Sequence, residues 1–169
     1  MKVGDQLTVD VDNMGNGGLA IARNENGKPV FVPFTMPDET VRVTLHKAKS
    51  NYAHGQLQDV LKASPQRVIP RCDHFGVCGS CHFQHMDYAY QLAIKQQVVR
   101  DQLHRIGGFK DAPVAPLKPH PQPYAYLNNM TLSPMAEGGL GLWSPTLRQI
   151  MPIDLCHILH PQLMDLWQD

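Results

Sequence analysis

All four cysteines of the chain fall in two places: Cys72, Cys78 and Cys81 form a C-x5-C-x2-C run, and Cys156 stands alone in Pro152-Ile153-Asp154-Leu155-Cys156-His157. If these thiols act together, the fold has to return a distant segment to a local loop, a long-range constraint that no other feature of the sequence matches. Four thiolates converging on one point make a ligand set for zinc or for an iron–sulfur cluster. Structural zinc sites usually draw on two short knuckles, whereas three local cysteines plus a distant one is a familiar cluster arrangement, so the spacing favours the cluster. Two disulfides would use the same residues. Met1-Lys2-Val3-Gly4-Asp5, however, leads straight into strand-like sequence with no apolar leader, so a reducing cytoplasm is the default and disulfides are disfavoured. Inert buried cysteines are the other alternative. Gly76, Gly79 and Ser80 argue against it, because small residues between ligands let backbone amides turn toward sulfur.

With 43% hydrophobic and 18% charged residues, the chain can bury a core and is not a disordered tail. No apolar run approaches the ~20 residues that span a bilayer, which gives no membrane association. The formal net charge is zero, but it is unevenly spread. Residues 1–60 carry six Lys and Arg against seven Asp and Glu, residues 61–118 eight against four, and residues 119–169 one against four. A positive middle around the cysteine run is where a phosphate backbone would dock, although such an excess is also common on a solvated surface.

Period-two alternation predicts short strands through the first 60 residues. Leu7, Val9 and Val11 form one face of the first strand, and Leu19 with Ile21 one face of the second. The glycine-rich stretch Asn13 to Gly18 separates them, and Asn24-Glu25-Asn26-Gly27 reads as a hairpin turn leading to a strand from Val30 to Phe34. Val41, Val43 and Leu45 mark a fourth strand, and Gly55 to Leu61 a fifth. Five short strands in this length predict a closed or nearly closed OB-like barrel, a shape that commonly binds oligonucleotides. The overall class is therefore mainly β, with an α+β second part.

Several motifs of this region resemble a TRAM domain, an RNA-binding OB-like barrel: Gly17-Gly18-Leu19-Ala20, Val30-Phe31-Val32-Pro33, Pro37-Asp38-Glu39, Lys47-Ala48-Lys49-Ser50-Asn51-Tyr52-Ala53 and Ser64-Pro65-Gln66-Arg67-Val68-Ile69-Pro70. The family usually has Pro-Gly-Glu where this chain has Pro37-Asp38-Glu39, a departure expected to act locally. In the 47–54 loop, Lys47 and Lys49 can meet phosphates and Tyr52 offers a face for base stacking, a combination suited to unpaired RNA. The bland reading is a solvated loop with an anchoring tyrosine.

The run from Arg71 to His85, with Cys78-Gly79-Ser80-Cys81 and Gln84-His85 at its centre, closely resembles the cluster segment of RNA (uracil-C5)-methyltransferases, which make 5-methyluridine in tRNA and ribosomal RNA. A TRAM barrel directly before it is similar to the 23S ribosomal-RNA branch, and Cys156 falls where that family places its fourth cluster ligand. The resemblance implies a 4Fe-4S cluster on Cys72, Cys78, Cys81 and Cys156, with zinc as the alternative, and RNA as partner. Methylthiotransferases also carry TRAM domains. Their radical chemistry needs a C-x3-C-x2-C triad with one open iron, which this spacing and fourth thiolate do not supply.

Residues 1–62 are expected to be the TRAM domain and 63–169 an incomplete central iron–sulfur and RNA-recognition domain. The second part contains an amphipathic helix over 87–106, with Asp87 as N-cap, Gly107 as stop, and Tyr88, Leu92, Val99, Leu103 and Ile106 on one face. Lys95 and Gln96 on this helix are signature positions by resemblance and candidate RNA contacts. The helix's exposed apolar face is expected to meet a methyltransferase domain or another partner. A proline-rich linker over 112–124 follows, then strands over 128–134 and 141–153 that return Cys156 to the run. The family's basic Tyr-Arg-Asn-Lys/Arg element reads Tyr126-Leu127-Asn128-Asn129 here, without either positive charge. His157 and His160 read as supporting or surface residues rather than ligands.

Catalysis in the resembled family needs a cysteine nucleophile, S-adenosylmethionine and a carboxylate base. With four cysteines assigned to the cluster, no nucleophile remains, so no catalytic residue is assigned. Gly138-Gly139-Leu140-Gly141-Leu142 imitates a nucleotide loop but lacks a flanking strand and helix, and reads as a hairpin. The chain is expected to stop before the catalytic and S-adenosylmethionine-binding domain and not to methylate RNA alone. An autonomous RNA-binding adaptor, stapled by zinc or a cluster, is the alternative.

Overall fold

A computed structural model describes residues 1–168 and places them in two compact units. One comprises Met1–Val68 with His85–Leu117, the other Ile69–Gln84 with the chain from Lys118 onward. No helix among the described residues is long and apolar enough to cross a membrane.

The first unit contains the predicted barrel. Its strands are β1 (Gln6–Met14), β2 (Leu19–Arg23), β3 (Pro29–Pro33), β4 (Thr40–Ala48) and β5 (Ala53–Lys62). They close in the order β1-β2-β3-β5-β4, with β4 returning to β1. All the pairings are antiparallel except β3 with β5, where Val30 meets Ala53 and Phe31 meets His54. Alternate residues fill the interior: Val9, Val11, Ala20, Ala22, Val30, Val32, Val41, Val43, Leu45 and Ala53 are all buried. Each fully buried valine or leucine contributes roughly 1.5–3 kcal/mol. Gly55 is required by this packing, because a Cβ there would lie 3.1 Å from that of Val43.

The inward face of β2 is the opposite of the one expected. Ala20 and Ala22 are fully buried, while Leu19 and Ile21 are half-buried on the outer side. Ala20 faces Val32, and Ala22 faces Val11 and Val30, so the neighbouring strands already fill the interior and only methyl groups fit. The third strand also ends earlier than expected, because Phe34 lies in the left-handed region at φ 63°. Asp38 is left-handed too, at φ 69°. This explains why the resembled family prefers glycine there.

A buried polar network stitches the barrel to the following segment. The Glu39 carboxylate is wholly shielded and accepts from Arg67 Nε, from Arg67 Nη2 at 2.8 Å, from Met36 N at 3.1 Å and from Ser64 N at 3.4 Å. Arg67 Nη2 also donates to Phe34 O at 2.9 Å. Beside it, Val68 N donates to His85 O and Asp87 N to Gln66 O, so the chain leaves and re-enters this unit through a short paired neck.

That neck leads into α1 (Tyr88–Arg105), capped as predicted by Asp87, which accepts from Ala89 N at 2.9 Å. Of the expected face, Tyr88, Leu92 and Leu103 are partly covered, whereas Val99 and Ile106 are 43% and 79% exposed, and the buried side chain is Ile94. Asn13 Nδ2 of the barrel donates to Asp101 Oδ2 at 3.2 Å. Helix and barrel therefore share one compact unit.

The second unit is irregular. A three-stranded sheet, β6 (Ser133–Pro134), β7 (Leu140–Ser144) and β8 (Gln149–Met151), precedes the short helix α2 (Pro161–Gln168). The strand expected over 128–134 forms only at its last two residues, and the one expected over 141–153 is split by a turn at 145–148. Gly138 and Gly139, at φ 93° and 78°, make the β6–β7 hairpin predicted for the glycine-rich stretch. Leu142, Ile153, Ile158, Leu159 and Met164 form the small core.

Candidate thiol centre and nucleic-acid interface

The cysteine loop is shaped by its glycines and held from behind by the β7–β8 turn. Phe75 N donates to Cys72 O, and Val77 N and Cys78 N both donate to His74 O. Gly76 and Gly79 reverse the chain at φ 84° and 83°. A Cβ on Gly79 would come within 2.5 Å of the Pro145 ring. The fully buried Ser144 hydroxyl donates to Val77 O at 2.6 Å and accepts from Leu147 N at 3.0 Å, while Thr146 Oγ1 donates to Gly76 O at 3.2 Å.

Cys156 reaches the same unit through a second set of backbone bonds. Ala125 N donates to His157 O, Leu127 N to Ile158 O and His160 N to Leu127 O, laying 125–127 alongside 157–160. Leu127, at a position where the resembled family is basic, is half-buried in this pairing, and Asn129 is exposed. His157 makes an edge contact with Tyr124, whose ring also carries the Arg71 guanidinium at 4.9 Å.

All four cysteines are free and half-buried. Burial pushes the Cys72 thiol up, opposed by a hydrogen bond from the His74 backbone and reinforced by Cys78, Cys156 and Asp73. Burial likewise raises Cys81, opposed by the Gln84 side chain and reinforced by Cys156, Cys78 and Cys72. The distant thiol and the three local ones thus lie within electrostatic reach of one another. Among the described residues, no group of three or more His, Cys, Asp or Glu side chains is arranged to hold a metal ion. The raised Cys72 and Cys81 thiols are what a cationic centre would reverse, because metal binding takes up the thiolate and releases the proton.

On the barrel, Lys47 and Lys49 are exposed and Tyr52 is half-buried. Lys47 Nζ lies 5.8 Å from the Tyr52 ring centre, and Lys49 N donates to Tyr52 O at 2.8 Å, which closes the β4–β5 loop. Sequence reasoning missed the ring partners of Tyr52, which are Phe31 and His54, and the contact of His54 with His46. Their signal was the alternation itself, since each neighbours an inward residue and therefore points out. On α1, Lys95 is exposed, and Gln96 Nε2 donates to Val114 O at 2.9 Å. The polar break in the helix seam is thus a satisfied hydrogen bond to the proline-rich segment.

Residues 1–58 match the TRAM domain family. An uncharacterized RNA methyltransferase of Gloeobacter violaceus is 33% identical over 164 residues, covering 95% of this chain and 36% of that protein. The 23S rRNA (uracil(1939)-C(5))-methyltransferase of Chromobacterium violaceum is 33% identical over 160 residues, covering 92% of this chain and 31% of its own length. Over nearly its whole length the chain is similar to part of the RNA (uracil-C5)-methyltransferases. It spans about a third of the length of the curated relatives it matches. The fold agrees: Pyrococcus abyssi tRNA (uracil-54, C5)-methyltransferase, solved with S-adenosyl-L-homocysteine, superposes with a TM-score of 0.59 at 23% identity, over 95% of this chain and 35% of that one.

Proposed function

We propose that these residues are the RNA-recognition part of an S-adenosylmethionine-dependent 23S rRNA (uracil-C5)-methyltransferase, with a 4Fe-4S cluster on Cys72, Cys78, Cys81 and Cys156. The observation that supports the cluster is the return of the distant Cys156 to the local run, near enough to act on both Cys72 and Cys81, as Cys78 does. A single zinc ion needs its ligands drawn to one point at about 2.3 Å. A four-iron cluster gives each thiolate its own iron, so its ligands stand further apart than those of a single ion.

Four protein thiolates leave no iron open, and the group's contribution is to cross-link the loop, not to react. The chain's own residues do the rest. Ser144 and Thr146 fix the loop backbone, and Gln84 holds both Cys72 N and the Cys81 thiol. In the barrel, Lys47 and Lys49 meet phosphates while Tyr52 meets a base. On α1, Lys95 adds a further charge. With every cysteine committed, no nucleophile remains, so methyl transfer resides outside these 169 residues.

The test pairs binding with turnover. Purified chain should bind an unmodified 23S rRNA fragment with an affinity that falls steeply with salt, and should transfer no label from S-adenosylmethionine. Salt-insensitive or absent binding would overturn the RNA reading, and methyl transfer would overturn the assignment of the cysteines.

A further inference from the structure

Four rings meet on the outer wall of the barrel. Phe31 and His54 are the paired residues of the parallel β3–β5 contact, with ring centres 5.3 Å apart and planes only 34° from parallel. Tyr52 stands edge-on to both, at 6.1 Å from Phe31 and 5.6 Å from His54. His46, outward from β4, lies 6.0 Å from His54. None of the four belongs to the hydrophobic interior, which Val30, Val32, Leu45 and Ala53 fill from the opposite side of the same strands. Phe31, Tyr52 and His54 are partly exposed and His46 fully so.

Cations frame the rings. Lys47 leans over Tyr52 at 5.8 Å, Lys49 is exposed one turn of the loop away, and Lys28 Nζ is held at the loop by Ser50 O at 2.7 Å. Burial holds His54 below the usual imidazole range, with smaller pushes from Lys47 and His46. The same surroundings favour the neutral His54 ring beside the Lys47 ammonium.

We propose that Phe31, His46, Tyr52 and His54 form a stacking platform for the bases of an unpaired RNA segment, whose phosphates are met by Lys28, Lys47 and Lys49. This rests on the RNA-binding reading above and deepens it, because it names the ligand as single-stranded and the recognition as sequence-tolerant. Every base has a π-face, whereas a duplex hides its base faces in the stack. Parallel pairing of β3 with β5 is what creates the platform, since it sets Phe31 beside His54 across strands that are far apart in sequence.

The experiment measures binding of the full chain to a fluorescein-labelled single-stranded RNA of mixed sequence, and to the same RNA annealed into a duplex, at two salt concentrations. Wild type should prefer the single strand. Tyr52→Ala and His54→Ala should each weaken single-strand binding about five- to hundredfold, the worth of one stacked base, while leaving the salt slope unchanged. Tyr52→Phe should keep wild-type affinity. Lys47→Ala should instead lower the salt slope by about one. Far-UV circular dichroism and melting curves confirm that each variant is folded. Failure of wild type to bind any RNA would defeat the RNA reading itself. Salt-sensitive binding untouched by Tyr52→Ala and His54→Ala, or equal loss for single strand and duplex, would leave that reading standing and overturn the platform.

Discussion

Replacing Arg67 by alanine isolates the buried ion pair on which the barrel's connection to the following segment depends. Glu39 has no exposed side-chain surface, whereas Arg67 retains 22%. Loss of Arg67 removes two of the four donors to that carboxylate and leaves only Met36 N and Ser64 N. An uncompensated buried charge costs about 3–5 kcal/mol, and the bond to Phe34 O, which restrains a left-handed residue, adds about 1 kcal/mol. The expected total of about 4–6 kcal/mol is a large share of the roughly 5–15 kcal/mol available to a domain. For an unfolding slope of about 2 kcal/mol per molar, the urea midpoint followed by far-UV circular dichroism should fall by about 2–3 M. Glu39→Gln, which removes the charge and keeps an acceptor, should cost less than half as much. A midpoint shift below about 0.5 M for Arg67→Ala, or equal losses for the two variants, would refute the reasoning.

Three further outcomes are expected. Burial, with a smaller push from Arg67, lowers His85 to about 4 against an ordinary 6.5, so the unfolded chain binds the extra proton first. His85 then contributes stability that is complete above pH 6.5 and lost as pH falls toward 4, at about 1.4 kcal/mol per pH unit; His85→Asn should flatten that slope, and an unchanged slope would show that other groups cause it. Asp38→Gly relieves a left-handed residue at φ 69° and should raise the melting temperature by about 1–2 °C, whereas a decrease would mean that the aspartate side chain holds the turn. Ser144→Ala leaves Val77 O and Leu147 N without their shared partner, so the metal-free chain should react faster with a thiol-specific reagent; an unchanged rate would show that the hydroxyl does not brace the cysteine loop.

The barrel was legible because its inward residues alternate with polar ones on β1 and β4, where one face is plainly valine and leucine. β2 misled for a physical reason. Its outward Leu19 and Ile21 are larger than its inward alanines, and volume inside a narrow barrel is set by neighbouring strands that a single strand's pattern does not contain. On α1 the Asp87 cap and much of the covered face were readable from local chemistry, whereas the bond between Asp101 and Asn13 of β1 was not. The cysteine spacing pointed to a thiol centre, and the return of Cys156 depends on pairing of 125–127 with 157–160, which no local periodicity announces. The aromatic platform escaped for the same reason. Phe31, His46 and His54 are single outward residues on three strands, and only the barrel's closure makes them neighbours.

Metal analysis of the anaerobically purified chain, taken with its visible spectrum, tests the cluster reading most directly. Four protein thiolates around one cluster predict a brown protein with about four irons and four sulfides per chain and no stoichiometric zinc, and Cys156→Ser should lose most of that iron. A colourless wild-type protein holding a single zinc ion, or neither metal, would contradict the account and leave the barrel and its RNA-facing surface as the chain's working parts.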